Sequence, residues 1–198
     1  MKTASIAPVA LLLALTLAGC GTTPPNNYYL LSAEVDAQAK AQTPSIGVGP
    51  VDIPEYLNRN RLVFQGSGNQ LQMSNSERWA EPLTDGIERV LNVNLSSELG
   101  TQNTQSFPWS AGQTPDYGLS VRILNLDANA EGARMVAEWE VRHPADGATL
   151  VRKVSQMQAG YGGEGFSANA AAAAYSELLR QLSSEAAAVI RANEAGTS

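Results

Sequence analysis

The stretch Tyr117-Gly118-Leu119-Ser120-Val121-Arg122-Ile123-Leu124-Asn125-Leu126 decides the fold class, together with Arg134-Met135-Val136-Ala137-Glu138-Trp139-Glu140-Val141-Arg142 just downstream. In the first run Tyr117, Leu119, Val121 and Ile123 fall on one side, and in the second Met135, Ala137, Trp139 and Val141 do. A period of two is the signature of a strand with one buried face. Leu150 to Ala159 is a weaker, more polar strand candidate, so the three together read as an antiparallel meander with one wet face. Glu138, Glu140, Arg142 and Arg152 fit cross-strand ion pairs on that wet face.

Working outward, the period changes from two to 3.6. Trp79, Leu83, Ile87, Val90, Leu91, Leu95 and Leu99 recur on a single helical face, with Gly100 as the stop. Ser74 with Glu77 has the spacing of a capping box, which would start the helix ahead of Trp79. Pro82 then either kinks the first turns or is the true first helical residue. Downstream, Phe166 to Asn193 reads as an alanine-rich helix with Leu178, Leu179, Leu182, Ala186, Val189 and Ile190 on one face.

Upstream, Arg61 to Gln65 and Gln70 to Ser74 flank Gly66-Ser67-Gly68-Asn69, a hairpin signal. Ser45 to Ile53 reads as a strand in which Pro50 demands a bulge or an edge, and Tyr28 to Leu31 as a first strand. Ala33 to Pro44 is polar and reads as a loop. The expected fold is α+β, a mostly antiparallel sheet with two amphipathic helices packed on one face.

Composition narrows the chemistry. Of 198 residues, 43% are hydrophobic and 16% charged, which suits one folded domain, and the net charge of −6 excludes a nucleic-acid surface. One histidine, His143, and one cysteine cannot assemble a His/Cys zinc site, and no cofactor is expected.

That cysteine, Cys20, closes a leader. Lys2 precedes an apolar stretch from Ile6 to Ala18, too short to span a bilayer, which ends in Leu17-Ala18-Gly19-Cys20. These four residues resemble a bacterial lipobox: small Ala18 and Gly19 admit the peptidase, and the thiol accepts diacylglycerol. The expected organisation is a signal peptide over 1–19, an acylated tether over 20–27 and a single domain over 28–198. Two or three acyl chains on one residue satisfy the two-signal condition for stable anchoring. Gly21 in place of Asp points to the outer membrane by the sorting habit of enteric lipoproteins.

The stretch Val48-Gly49-Pro50-Val51-Asp52-Ile53-Pro54-Glu55-Tyr56-Leu57-Asn58-Arg59 resembles the ABC-type transport auxiliary lipoproteins. Tyr28-Tyr29-Leu30-Leu31, Arg78-Trp79-Ala80-Glu81-Pro82-Leu83, Asp116-Tyr117 and Trp139 extend the likeness over essentially all the mature chain. The resemblance implies a component without catalytic residues that works with MCE-domain proteins, carriers of hydrophobic molecules between the inner and outer membranes. A homo-oligomer is compatible with it, although no residue sets a copy number.

Besides Cys20, the candidate partner-binding residues are Pro54, Tyr56 and Leu57, on a turn-like stretch, and Trp109, set among polar residues. Each has a structural alternative: Tyr56 and Leu57 could cap the sheet, and Trp109 could be core. Gly160-Tyr161-Gly162-Gly163-Glu164-Gly165 contains the spacing of a dinucleotide fingerprint but lacks the strand that should follow its helix, and reads as a turn. A serine hydrolase would need His143 and a nucleophile elbow, and no Gly-x-Ser-x-Gly occurs. An envelope scaffold or assembly lipoprotein is the alternative to a transport role.

Overall fold

The computed structural model describes residues 25–33, 35, 41–110, 112–163 and 165–197. The leader, Cys20 and half of the loop expected before Pro44 lie outside the described residues. The elements are β1 (Asn27–Tyr29), β2 (Ile46–Asp52), β3 (Arg61–Gln65), β4 (Leu71–Trp79), α1 (Leu83–Leu99), β5 (Thr104–Ser106), β6 (Tyr117–Asn129), β7 (Gly132–His143), β8 (Ala148–Ala159) and α2 (Ala168–Thr197).

The α+β class holds, and the meander β6-β7-β8 is antiparallel. The expectation of a mostly antiparallel sheet does not hold. A five-stranded sheet runs β5-β2-β6-β7-β8, with β2 parallel to both β5 and β6. A three-stranded sheet runs β1-β4-β3, with β1 parallel to β4 and β3 antiparallel to it. Parallel neighbours need a long crossover, and here the chain leaves β2, builds the hairpin, α1 and β5, and returns as β6. The burial of β2 agrees with this position, since Ile46, Gly47, Val48 and Gly49 are all buried. Pro50 sits where the β2–β6 register shifts, so it occupies a bulge rather than an edge.

The alternating apolar residues of the opening stretch face the helices. Leu119, Val121 and Ile123 of β6 and Met135, Ala137, Trp139 and Val141 of β7 are all essentially buried. They join Ile87, Val90, Leu91 and Leu95 of α1 and Leu178, Leu179, Leu182 and Ile190 of α2 in one core. Ala171, Ala174, Ala186 and Ala187 are buried too, and their small side chains let α2 lie close to its neighbours. Polar links pin α2 to the sheet. The indole of Trp139 donates to Ser155 Oγ at 3.0 Å, and Ser155 donates to Glu185 of α2 at 2.8 Å. Lys153 reaches the same Glu185 at 2.8 Å.

The start of α1 corrects the capping-box reading. The Glu77 amide does donate to Ser74 Oγ at 2.9 Å, but Ser74 to Trp79 remain in β4. Pairing of Glu77, Arg78 and Trp79 with β1 outweighs a local cap worth about 1 kcal/mol. The helix begins only after Pro82, with no side-chain cap, and Gly100 closes it at φ 67°. Trp79 therefore ends a strand, its ring tilted against Tyr175 at 6.2 Å. The short strand β5, Thr-Gln-Ser, was not expected, because three polar residues carry no periodicity.

Ile87 is fully buried beneath the sheet. Ile87→Ala is expected to cost about 2–5 kcal/mol of stability, read as a lower urea midpoint with an unchanged slope.

Candidate functional site

Three glycines prepare the outer face of the large sheet. Gly47 of β2 and Gly118 of β6 are register partners, and Gly49 lies two residues further along β2. Because Ile46 and Val48 point at the helices, Gly47 and Gly49 lie on the opposite side. The segment Phe107-Pro108-Trp109 leaves β5 and crosses this bare backbone as a strap, beginning with the Phe107 amide on the Val48 carbonyl at 3.0 Å. A Cβ on Gly47 would stand 2.4 Å from the Trp109 indole, and one on Gly118 would stand 2.8 Å from it. On Gly49, at φ +123°, a Cβ would meet Phe107 Cβ at 2.4 Å.

Trp109 is thus half-buried by stacking directly on the sheet, and its indole Nε1 is buried without a hydrogen-bond partner. Phe107 packs edge-on against it at 5.5 Å and remains 43% exposed. Trp109, expected to meet a partner, is therefore half-buried on the sheet, and its neighbour Phe107 is the more exposed ring of the pair. The glycines were the missed signal: Gly at alternate strand positions marks close approach by another part of the chain.

The Pro54 to Leu57 stretch is a turn, closed by the Leu57 amide on the Pro54 carbonyl at 2.9 Å. Pro54 and Tyr56 are half-buried. The Tyr56 hydroxyl oxygen accepts from the Leu126 amide at 3.4 Å, and burial pushes its pKa up. Leu57 is 4% exposed and belongs to the core, so it offers a partner no surface. Nor does the fold bring the expected residues together. Trp109 stands over Gly118 and Tyr56 beside Leu126, eight residues apart on β6, roughly 25 Å of strand.

The remaining outer face is charged and paired. Arg122 meets Glu138 at 3.2 Å across the strands, and Arg152 Nε donates to Glu140 at 2.8 Å. The Thr149 hydroxyl, and then Arg152 and Arg142, hold the Glu140 carboxyl below the usual carboxylate range. His143 lies at the far end of β7, with Nδ1 2.8 Å from the Asp116 carbonyl oxygen and its ring 4.7 Å from Tyr117. Asp116 is itself engaged, accepting from the Ser45 amide at 2.8 Å and the Ser45 hydroxyl at 2.7 Å. This pair ties the start of β2 to the start of β6. Among the described residues no group of three His, Cys, Asp or Glu side chains is placed to hold a metal, and none of the helices is long and apolar enough to cross a membrane. The glycine-rich segment after β8 leads into α2 without a following strand, and Tyr161 donates from it to the Asn129 and Gly132 carbonyls.

A family model described as "ABC-type transport auxiliary lipoprotein component" matches residues 28–187. Over 135 residues the chain is 30% identical to the intermembrane transport lipoprotein PqiC of Escherichia coli K12, a match covering 66% of this chain and 71% of that protein. The protein of the same name from Shigella flexneri matches equally. Among solved structures, a protein from Xanthomonas campestris superposes with a TM-score of 0.67 at 15% identity, covering 87% of this chain and 99% of that one. An uncharacterised protein superposes with a TM-score of 0.63 at 22% identity, covering 84% and 97%. These two likenesses concern the fold.

If the strap rests on bare backbone, Gly47→Val must push the indole off the sheet. The expected result is a red shift in Trp109 emission, resolved by comparison with a Trp109→Phe background, and a loss of about 1–3 kcal/mol. Gly160→Ala, at a glycine with open space around it, should change neither.

Proposed function

The chain belongs to the family of ABC-type transport auxiliary lipoproteins, and from that premise we propose that it is a non-enzymatic component of an MCE-type intermembrane lipid transport system. In this reading it is held by acyl chains on Cys20 at the periplasmic face of the outer membrane, where it docks the transporter and supports envelope integrity. The observation that carries the proposal is the 30% identity to PqiC over two-thirds of the chain. The lipobox-like Leu17-Ala18-Gly19-Cys20 supports the anchor, and Gly21 supports the outer-membrane address.

The geometry fits a docking role better than a chemical one. Glu138 and Glu140 are engaged by arginines, and His143 is turned toward a backbone carbonyl. What the surface offers is shape: the strap with exposed Phe107 and half-buried Trp109, laid on the sheet. An aromatic anchor fixed on a β-scaffold is the kind of feature that carries binding energy in protein interfaces. The partner-facing part is therefore Phe107 and Trp109, while Pro54 and Tyr56, beside Leu126 at the other end of β6, belong to a separate surface.

The test is recovery of the complex from membranes. After mild crosslinking, the full-length lipoprotein should bring down an MCE-domain protein and float with outer-membrane fractions on a density gradient. Cys20→Ala should release it from those membranes. Recovery of no MCE protein, joined with an intact outer-membrane barrier in a deletion strain, would sink the proposal.

A further inference from the structure

We propose that the domain seats one particular end, the turn between β3 and β4 with its flanking apolar side chains, in the interfacial zone of the phospholipid bilayer. This rests on the reading that Cys20 is acylated, and adds to it a direction and a surface.

The direction comes from the pairing of β1. It runs parallel to β4, with Asn27 opposite Glu77 and Tyr29 opposite Trp79. The chain ahead of Asn27 therefore enters from the side on which β4 begins, at the β3–β4 turn. Cys20 lies seven residues upstream of Asn27, so it stands no further from it than about 25 Å. Seven residues back along β4 from Glu77 is Gln70, in that turn. The anchor's reach thus just spans the distance to the turn.

The opposite end lies on the far side of β1 from the chain entry. Asn129, at the end of β6, donates to Gln65 beside the turn, whereas Gly118, under the Trp109 strap, is eleven residues back along β6. That is roughly 35 Å of strand between the turn and the strap, so the two ends of the domain are well separated. α2 shows the same polarity: Phe166, just before it, packs on Phe64 of β3, and Asn193 near its end accepts from Tyr117.

The surface at the near end is what a bilayer would select. Leu71 is 45%, Met73 51%, Leu124 46% and Phe166 45% exposed, a set of large apolar side chains around one turn. Leu71 and Leu124 line a common groove with Tyr56. The guanidinium of Arg59 lies against Met73 sulfur at 3.5 Å, within the same zone, where a lipid phosphate would meet it. With a net charge of −6 the chain has little general attraction for an anionic leaflet, so apolar insertion beside the acyl anchor is the contribution that fits.

The test uses the acylated full-length lipoprotein in phosphatidylethanolamine–phosphatidylglycerol vesicles. Cys20 is the sole native cysteine, so Leu71→Cys, Leu124→Cys, Tyr28→Cys and Phe107→Cys each take an environment-sensitive fluorophore at one place. Nitroxide-bearing lipid should quench the labels at 71 and 124 at least twofold and leave the label at 107 unchanged. Protein that floats with the vesicles while the labels at 71 and 124 stay unquenched would overturn the proposal. So would quenching confined to position 28 or 107. Failure to float, with no acyl mass on the N-terminal peptide, would instead remove the anchor, and the proposal with it.

Discussion

The parallel seat of β2 beside β6 is the constraint on which the rest of the molecule depends. It is held by Asp116, whose carboxylate takes the Ser45 amide and hydroxyl just before β2 and just ahead of β6. Hydrogen bonds to a charged acceptor are among the stronger ones, about 1.5–3 kcal/mol each. Once β2 is fixed there, everything between it and β6 must be a crossover. The hairpin, α1 and β5 are that crossover, and burial of α1 against Ile46 and Val48 closes it. The same seat sets Gly47 beside Gly118 and so creates the bare strip that receives Trp109. A register slip of one residue would put Ile46 and Val48 on the wet face and abolish both the core and the strip.

The topology also gives the domain two unlike ends. One carries the chain entry, the β3–β4 turn and exposed aliphatic side chains. The other carries the strap, with Phe107 exposed, and the β7–β8 turn, whose Pro144 approaches Gly118. Between them the outer face is covered by arginine–glutamate pairs that leave little net charge. Such an object suits the proposed bridge between a membrane surface and a transport partner. Both ends are built on long strands of one core, so the spacing between them is rigid.

Local patterns and the antiparallel pairings of neighbouring strands were legible, and the distant parallel pairings were not. The alternation in β6 and β7 and the face of α1 from Leu83 onward appear in the sequence because period and burial are properties of single elements. The parallel pairing of β2 is not local, so an antiparallel sheet was the natural expectation. Ser74 and Glu77 form the hydrogen bond of a capping box inside a strand, because β1 competes for the same backbone. The candidate site divided in the same way. Trp109 could be singled out, but its place depends on glycines sixty or so residues earlier in β2 and nine later in β6. Leu57 was singled out with it and is core, since a four-residue turn of apolar and polar residues does not say which side chain points inward.

In the proposed arrangement the domain holds a transport partner at the end away from the membrane. A photoreactive side chain in place of Phe107, activated in living cells, tests it most directly. A crosslink to an MCE-domain protein is expected from that position, and lipid adducts rather than that crosslink from a probe in place of Leu71. Lipid adducts from position 107, or the MCE crosslink from position 71 alone, would contradict it.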